Sequence, residues 1–250
     1  MKLQKIILLF VILTTFLSCE IVQETRFDKD GSGTYSLGFD MSEMMKSSGL
    51  KSDTKNEQLD TVFKFADIIA LKKDSIATLS KKEQQKIKQL EAFTLYIKSD
   101  TIAKKMLMRI NYTFNDLEDL KLFGEKLKDQ NFKELTAFTN KTQAKDTKGD
   151  GIPDFNTLYD MKYSAKKFSI KITKKALNDA LKKKDTTLTK DNPMANMIRF
   201  KTRYIFPYRI KKVTNENARI LSDFKGIEIS ANLYEVNNHP DFFDFEVFFE

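Results

Sequence analysis

Between Met106 and Phe114, apolar side chains recur at every second position: Met106, Met108, Ile110, Tyr112 and Phe114. Arg109, Asn111 and Thr113 fall between them. Period-two alternation over nine residues would scatter these groups around a helix, so it dictates a strand with one buried and one wet side. Shorter versions recur at Ile21 to Phe27, Tyr35 to Phe39, Phe93 to Ile97, Phe168 to Ile172, Phe200 to Phe206 and Phe243 to Phe249. A chain with this many half-buried strands must build a sheet and cover one of its faces. Tryptophan is absent and there are 21 phenylalanines, so the core beneath that cover is phenylalanine-rich.

Turn and cap residues punctuate the strands. Asp28-Lys29-Asp30-Gly31-Ser32-Gly33 predicts a hairpin connection, and Asp40 with Glu43 predicts a capped short helix over 41–47. Ser80 and Glu83 form a second capping box, opening a helix that runs to about Glu91. Asn115 with Glu118 is read as the cap of a helix whose apolar stripe is Leu117, Leu120, Phe123 and Leu127. A further helix is expected over 174–183, with Ala176, Leu177, Ala180 and Leu181 inward. Residues 59–71 have no clean period, and 46–58, 139–154 and 184–193 read as polar loops. Strands are also expected at 158–163, 218–222 and 227–236, with Pro207 bending or ending the strand before it. Strands at both ends, with helices between hairpins, predict one α+β domain over 19–250: an antiparallel β-sheet with helices packed on one face.

The amino terminus concerns address rather than fold. Lys2 and Lys5 precede an unbroken apolar run from Ile6 to Leu13, and residues 14–18 lead into Cys19. This is shorter than the about 20 residues a bilayer span requires, so 1–18 reads as a secretory signal. Leu17-Ser18-Cys19 resembles the bacterial lipobox, with Phe16 where the common pattern has Leu. The resemblance implies cleavage before Cys19 and a diacylglycerol on its sulfur. Cys19 is the only cysteine, so no intrachain disulfide can form. Each buried methylene contributes about 0.8 kcal/mol, so two or three acyl chains make a durable anchor.

The formal charge is +8, or +6 without Lys2 and Lys5. A basic balance suits anionic lipid headgroups or acidic glycans as partners, and nucleic acid is not expected outside a membrane. Lys167 and Lys171 alternate with Phe168, Ile170 and Ile172; Arg199, Lys201 and Arg203 alternate with Phe200 and Tyr204. If these strands shared a sheet, the five cations would stand on its wet face as a positive ligand-binding surface, with Arg109 beside them. The plain alternative is a solvated face whose charges oppose edge aggregation.

Metal chemistry has two candidate loops. Asp28 to Gly33 imitates the start of an EF-hand, but position 12 is Phe39 rather than the bidentate glutamate, and strands flank it. Asp146, Asp150 and Asp154 lie in DTKGDGIPD, which resembles calcium-binding thrombospondin type 3-like segments, with Lys148 where a second carboxylate belongs. Calcium is therefore the one cofactor considered. His239 is the only histidine and sits in the turn sequence Asn237-Asn238-His239-Pro240-Asp241, so a histidine-based triad or zinc cluster has little to draw on. No catalytic residue is assigned.

Two stretches carry a family resemblance. Phe206-Pro207-Tyr208-Arg209, Asn217-Ala218 and Ser222-Asp223-Phe224-Lys225-Gly226 resemble the ending of uncharacterised Bacteroidetes (flavobacterial) lipoproteins, as does Phe27-x-x-Asp30-Gly31-Ser32-Gly33-Thr34. Phe224 departs from that pattern, which has glycine there. More distantly, the opening and the Phe-Pro segment are similar to LppM-type lipoproteins of mycobacteria, which implies lipid or glycolipid binding. The expectation is a non-enzymatic envelope lipoprotein with a binding or scaffolding role, and the alternative is an envelope-polymer hydrolase or transferase using carboxylates alone. Glu20 is followed by Ile21-Val22-Gln23 rather than an acidic run, so the expected address is the periplasm-facing side of the outer membrane.

Overall fold

The computed structural model describes residues 19–47, 58–128, 155–192, 195–196 and 198–250. Residues 1–18, expected to be a secretory signal, most of the 46–58 loop and the Asp146–Asp154 segment lie outside them. Twelve strands form two sheets among the described residues. The larger sheet is ordered β10-β11-β8-β1-β2-β5-β4-β3 and the smaller β6-β7-β12-β9. In chain order the strands of the larger sheet are β1 (Cys19–Phe27), β2 (Gly33–Asp40), β3 (Gln58–Lys64), β4 (Phe93–Asp100), β5 (Lys105–Phe114), β8 (Ile198–Ile205), β10 (Arg219–Ile220) and β11 (Gly226–Asn232). The smaller sheet contains β6 (Tyr159–Tyr163), β7 (Lys167–Ile172), β9 (Ile210–Val213) and β12 (Phe245–Phe249).

The protein is α+β, with antiparallel pairing dominant and few helices. One pairing is parallel: β1 runs beside β8 from Cys19↔Ile198 to Arg26↔Ile205. This puts the first strand near the middle of the larger sheet, with β2 antiparallel on its other side. The chain leaves the larger sheet at Pro207 and enters the smaller one at Ile210, so the proline stands at the crossover between sheets.

Helices fill the gaps between hairpins: α1 (Ser42–Ser47), α2 (Phe65–Leu71), α3 (Lys73–Ala77), α4 (Lys81–Lys88), α5 (Leu117–Lys121), α6 (Phe123–Lys128), α7 (Lys174–Lys182) and α8 (Leu233–Asn238). The capping box at Ser80 and Glu83 forms as expected, each side chain meeting the other's backbone N–H. Residues 59–71, which show no clean period in the sequence, divide into strand and helix at Lys64/Phe65. Two local expectations are corrected. The strand expected to run to Val236 stops at Asn232, because Asn232 and Glu235 form a capping box that starts α8. Asp116, not Asn115, caps α5, accepting the Asp119 N–H at 2.8 Å.

Asp119 is thereby free to turn inward. Its carboxylate accepts from the Tyr112 hydroxyl at 2.5 Å and from the Lys126 ammonium, which also reaches the Tyr112 oxygen at 2.6 Å. The Asn115 N–H donates to its second oxygen at 3.0 Å. Burial alone would raise this carboxyl, but the Lys126 and Tyr112 contacts outweigh it and hold Asp119 below its ordinary value. A depressed folded value stabilises the fold above the unfolded value, about 3.9, and the contribution is lost as pH falls through the folded value. Asp119→Asn is expected to lose about 2 kcal/mol at neutral pH, in line with hydrogen bonds to a charged group. The deficit should shrink below about pH 4. Melting curves of both forms from pH 7 to pH 2 check this; parallel curves would exclude the role.

The core lies between the two sheets and continues under α5 and α6. Phe27 stacks on Tyr163 with centroids 4.8 Å apart, and Phe93, Tyr112 and Phe123 pack together under the helices. Both aromatic clusters belong to one contiguous set of buried residues. At the β10–β11 turn, Phe224 has φ of +57°, a left-handed conformation that glycine would adopt without strain. The Arg209 guanidinium sits 4.9 Å over the Phe224 ring and offsets part of that strain.

Candidate functional site

Period-two geometry and the strand register place Ile21 and Gln23 of β1 beside Phe200 and Thr202 of β8 on the inner face of the larger sheet. Opposite them stand Tyr159 and Met161 of β6 and Ile170 and Ile172 of β7. The two sheets do not close on one another here. They enclose a cavity of about 380 Å³. Helix α7 borders it with Ala176 and Ala180, one turn apart on its inner face, and Val236, Pro240 and Phe243 complete the wall. Small residues on α7 leave the space that larger ones would fill. Leu158, Asp179 and Lys183 are its solvent-exposed lining and mark the mouth.

The wall is mostly apolar, with a few polar groups set into it: Gln23, Thr202 and the two tyrosines, Tyr159 and Tyr204. Thr202 and Tyr204 are buried. Burial, with the Asp244 and Asp241 carboxylates behind it, pushes the Tyr159 hydroxyl up, and burial does the same to Tyr204. Both remain proton donors throughout the physiological range. Asp244 accepts the Ile172 N–H at 2.7 Å, and burial together with the Asp241 charge raises its carboxyl against that bond. Among the described residues Asp179 is the only carboxylate in the lining, so no pair of acids faces the space.

The five cations named from the sequence are not brought onto one sheet. Lys167 and Lys171 stand on β7 in the smaller sheet, and Arg199, Lys201 and Arg203 on β8 in the larger. Glutamates meet most of them. Glu246 pairs with Lys167 at 2.9 Å and with Lys171 at 3.6 Å, and Glu20 pairs with Lys201 at 2.6 Å. Glu228 receives Arg203 at 2.6 Å and Arg219 at 2.8 Å. Burial would raise the Glu228 carboxyl, but these guanidinium groups hold it low. Arg199 has no ion pair among the described residues. On the outer face of the larger sheet the register yields an alternating row, Arg219–Glu228–Arg203–Glu24, instead of a positive field. A shallow depression of about 210 Å³ over Gly38 gathers Arg109, Lys201 and Arg203, but Glu20 and Asp40 share its rim.

Cys19 is the first residue of β1 and partly buried; burial and then the Asp40 charge push its thiol up. By alternation it shares the inner face with Ile21 and Gln23, so the residue named for lipidation begins the strand that forms one cavity wall. Asp146, Asp150 and Asp154, named for calcium, lie outside the described residues. Asp28 to Gly33 forms the expected hairpin turn, with the Asp30 carboxylate accepting from Ser32. His239 is exposed just after α8. Among the described residues no group of three or more metal-binding side chains gathers, and no helix is long and apolar enough to cross a membrane.

The cavity was not anticipated from the sequence. Its one local signal is a polar residue at an inward position of an apolar alternation: Gln23 between Ile21 and Phe27, Thr202 between Phe200 and Tyr204. No protein-family model matches the chain, and no curated protein or solved structure matches it either.

Proposed function

We propose that this protein is a lipid-anchored, non-enzymatic binding protein of the cell envelope, and that its binding element is the cavity between the two sheets. The observation that carries this reading is the cavity's construction: largely apolar walls, a few polar groups and no facing pair of carboxylates. That is the make-up of a site that holds an apolar molecule, and it offers nothing to split one. The anchor is inferred from the leader and Cys19. It would keep a protein with such a site beside the membrane, where apolar ligands reside. The ion-paired cations on both sheets serve solubility and strand pairing in this reading.

Native mass spectrometry of the full protein taken from its own membranes tests the proposal. The expected spectrum shows a diacylglycerol-sized addition at residue 19 and a co-purifying apolar molecule. Ala180→Phe fills the cavity from α7 and should lose that molecule at an unchanged melting temperature. An unmodified residue 19 overturns the anchor. An apolar ligand absent from the wild type, or retained by Ala180→Phe, overturns the cavity as the site.

A further inference from the structure

The polar groups of the cavity sit together. Thr202 and Gln23 are cross-strand neighbours on β8 and β1, and Tyr204 follows Thr202 on the same face. Tyr159, across the cavity, lies near enough to Tyr204 for their hydroxyls to influence one another. Thr202 is 8% exposed and Tyr204 6% exposed. Among the described residues, none of these four side chains has a hydrogen-bond partner. None of their polar atoms is sealed inside the wall without a partner, so each opens onto the cavity, where an entering molecule can meet it. A cluster of such groups on an otherwise apolar wall is arranged for something that enters.

We propose that the cavity takes a neutral, mainly hydrocarbon molecule carrying a hydrogen-bond acceptor, such as an ester or ketone carbonyl, which is received by the hydroxyls of Tyr159, Tyr204 and Thr202 and the amide of Gln23. This rests on the reading of the cavity as the binding site and names the chemical class it selects. Three hydroxyls and an amide NH2 supply the donors, and the two phenols donate more strongly than they accept, which favours an acceptor on the entering molecule. It is a neutral acceptor because no cation accompanies the donors. The ammonium of Lys201 is held by Glu20, whose side chain lies on the sheet's outer face, and Lys183 stands at the mouth. The nearest charges behind Tyr159 are the carboxylates of Asp244 and Asp241, which repel an anion. Size fits as well. At about 30 Å³ for a water-sized unit, the space holds about a dozen, which is the bulk of a medium-length acyl chain.

The test uses the full protein in amphipol, stripped of native lipid, and three probes with the same chain: methyl dodecanoate, dodecanoate and dodecane. Each competes at pH 7 against a fluorescent apolar reporter, 1-aminoanthracene. The ester is expected to bind at least tenfold more tightly than the carboxylate or the hydrocarbon. Tyr204→Phe and Thr202→Val should each weaken the ester about three- to tenfold and leave dodecane unchanged. The wild-type ranking decides the matter even if a variant fails to fold. Equal binding of all three probes, or tightest binding of dodecanoate, overturns this selectivity while the cavity remains the site. If no probe displaces the reporter and Ala180→Phe does not alter reporter binding, the cavity reading falls too.

Discussion

Replacing Phe168 by alanine is expected to destabilise the protein by about 4 kcal/mol, near the upper end for a buried aromatic truncated to a methyl. Phe168 is fully buried on β7 and touches aromatic rings from both sheets. Its centroid lies 5.2 Å from Phe27 and from Tyr204 and 5.3 Å from Phe206, all contributed by the larger sheet's strands or their ends. Phe245 of β12, in the smaller sheet, is 5.7 Å away. Removing the ring takes away area from both sheets at once and leaves a hole that neither sheet can close without moving as a whole. For a domain of this size the loss corresponds to a drop in melting temperature of about 10 °C. Phe168→Leu retains most of the volume and should cost less than about 2 kcal/mol. Chemical denaturation of the two variants checks the ranking; equal and small effects would mean that the sheets are held elsewhere.

The second large effect belongs to a glycine. A Cβ at Gly33 would fall 1.9 Å from the Arg26 carbonyl oxygen and 2.8 Å from Cζ of Phe114. The first of these is backbone of the paired strand, so β1 and β2 would have to separate at the end of their hairpin. Gly33→Ala is therefore expected to cost at least about 3 kcal/mol, above the usual range for a single added methyl. Gly38, five residues along the same strand, provides the control. A Cβ there meets nothing nearer than 3.7 Å. Gly38→Ala should change stability by less than about 0.5 kcal/mol, since the added methyl meets its neighbours at ordinary contact distance although the position is buried. Similar effects at both positions would remove the steric explanation.

Sequence alone was a good guide wherever the physics is local. Alternation in Met106 to Phe114 foretold β5 and its inner face, with Ile110, Tyr112 and Phe114 buried. Ser80 and Glu83 foretold the start of α4 because a capping box is written in four consecutive residues. The left-handed backbone at Phe224, with φ of +57°, was not read from the sequence. Local signals misled where two elements compete for the same residues. Asn232 and Glu235 cut a strand short that β-propensity would have continued. Asn115 and Glu118 looked like the cap, yet Asp116 took that role and left Asp119 to reach Tyr112 and Lys126. Spacing cannot show which of two acids will find a buried partner.

The candidate site was scarcely legible. Cys19, the cations on β7 and β8 and the Asp146 segment were named because each is visible in a few neighbouring residues. The cavity draws on β1, β6, β7, β8 and α7, which lie up to about 180 positions apart along the chain. Its emptiness is a relation between surfaces, fixed by how far two sheets stand apart and by the small residues of one helix. Likewise, whether Lys167 and Arg203 share a face depends on which sheet each strand joins, and Glu228 and Glu246 reach their cations only through pairing.

The main strands, their inward faces and the helix start at Ser80 were thus settled by neighbouring residues, since backbone periodicity and capping act over a turn or a pleat. The division into two sheets, the parallel seating of β1 against β8 and the space between the sheets were decided by long-range packing. Hydrophobic burial rewards any arrangement that hides the apolar faces, and only the assembled chain selects among those that do.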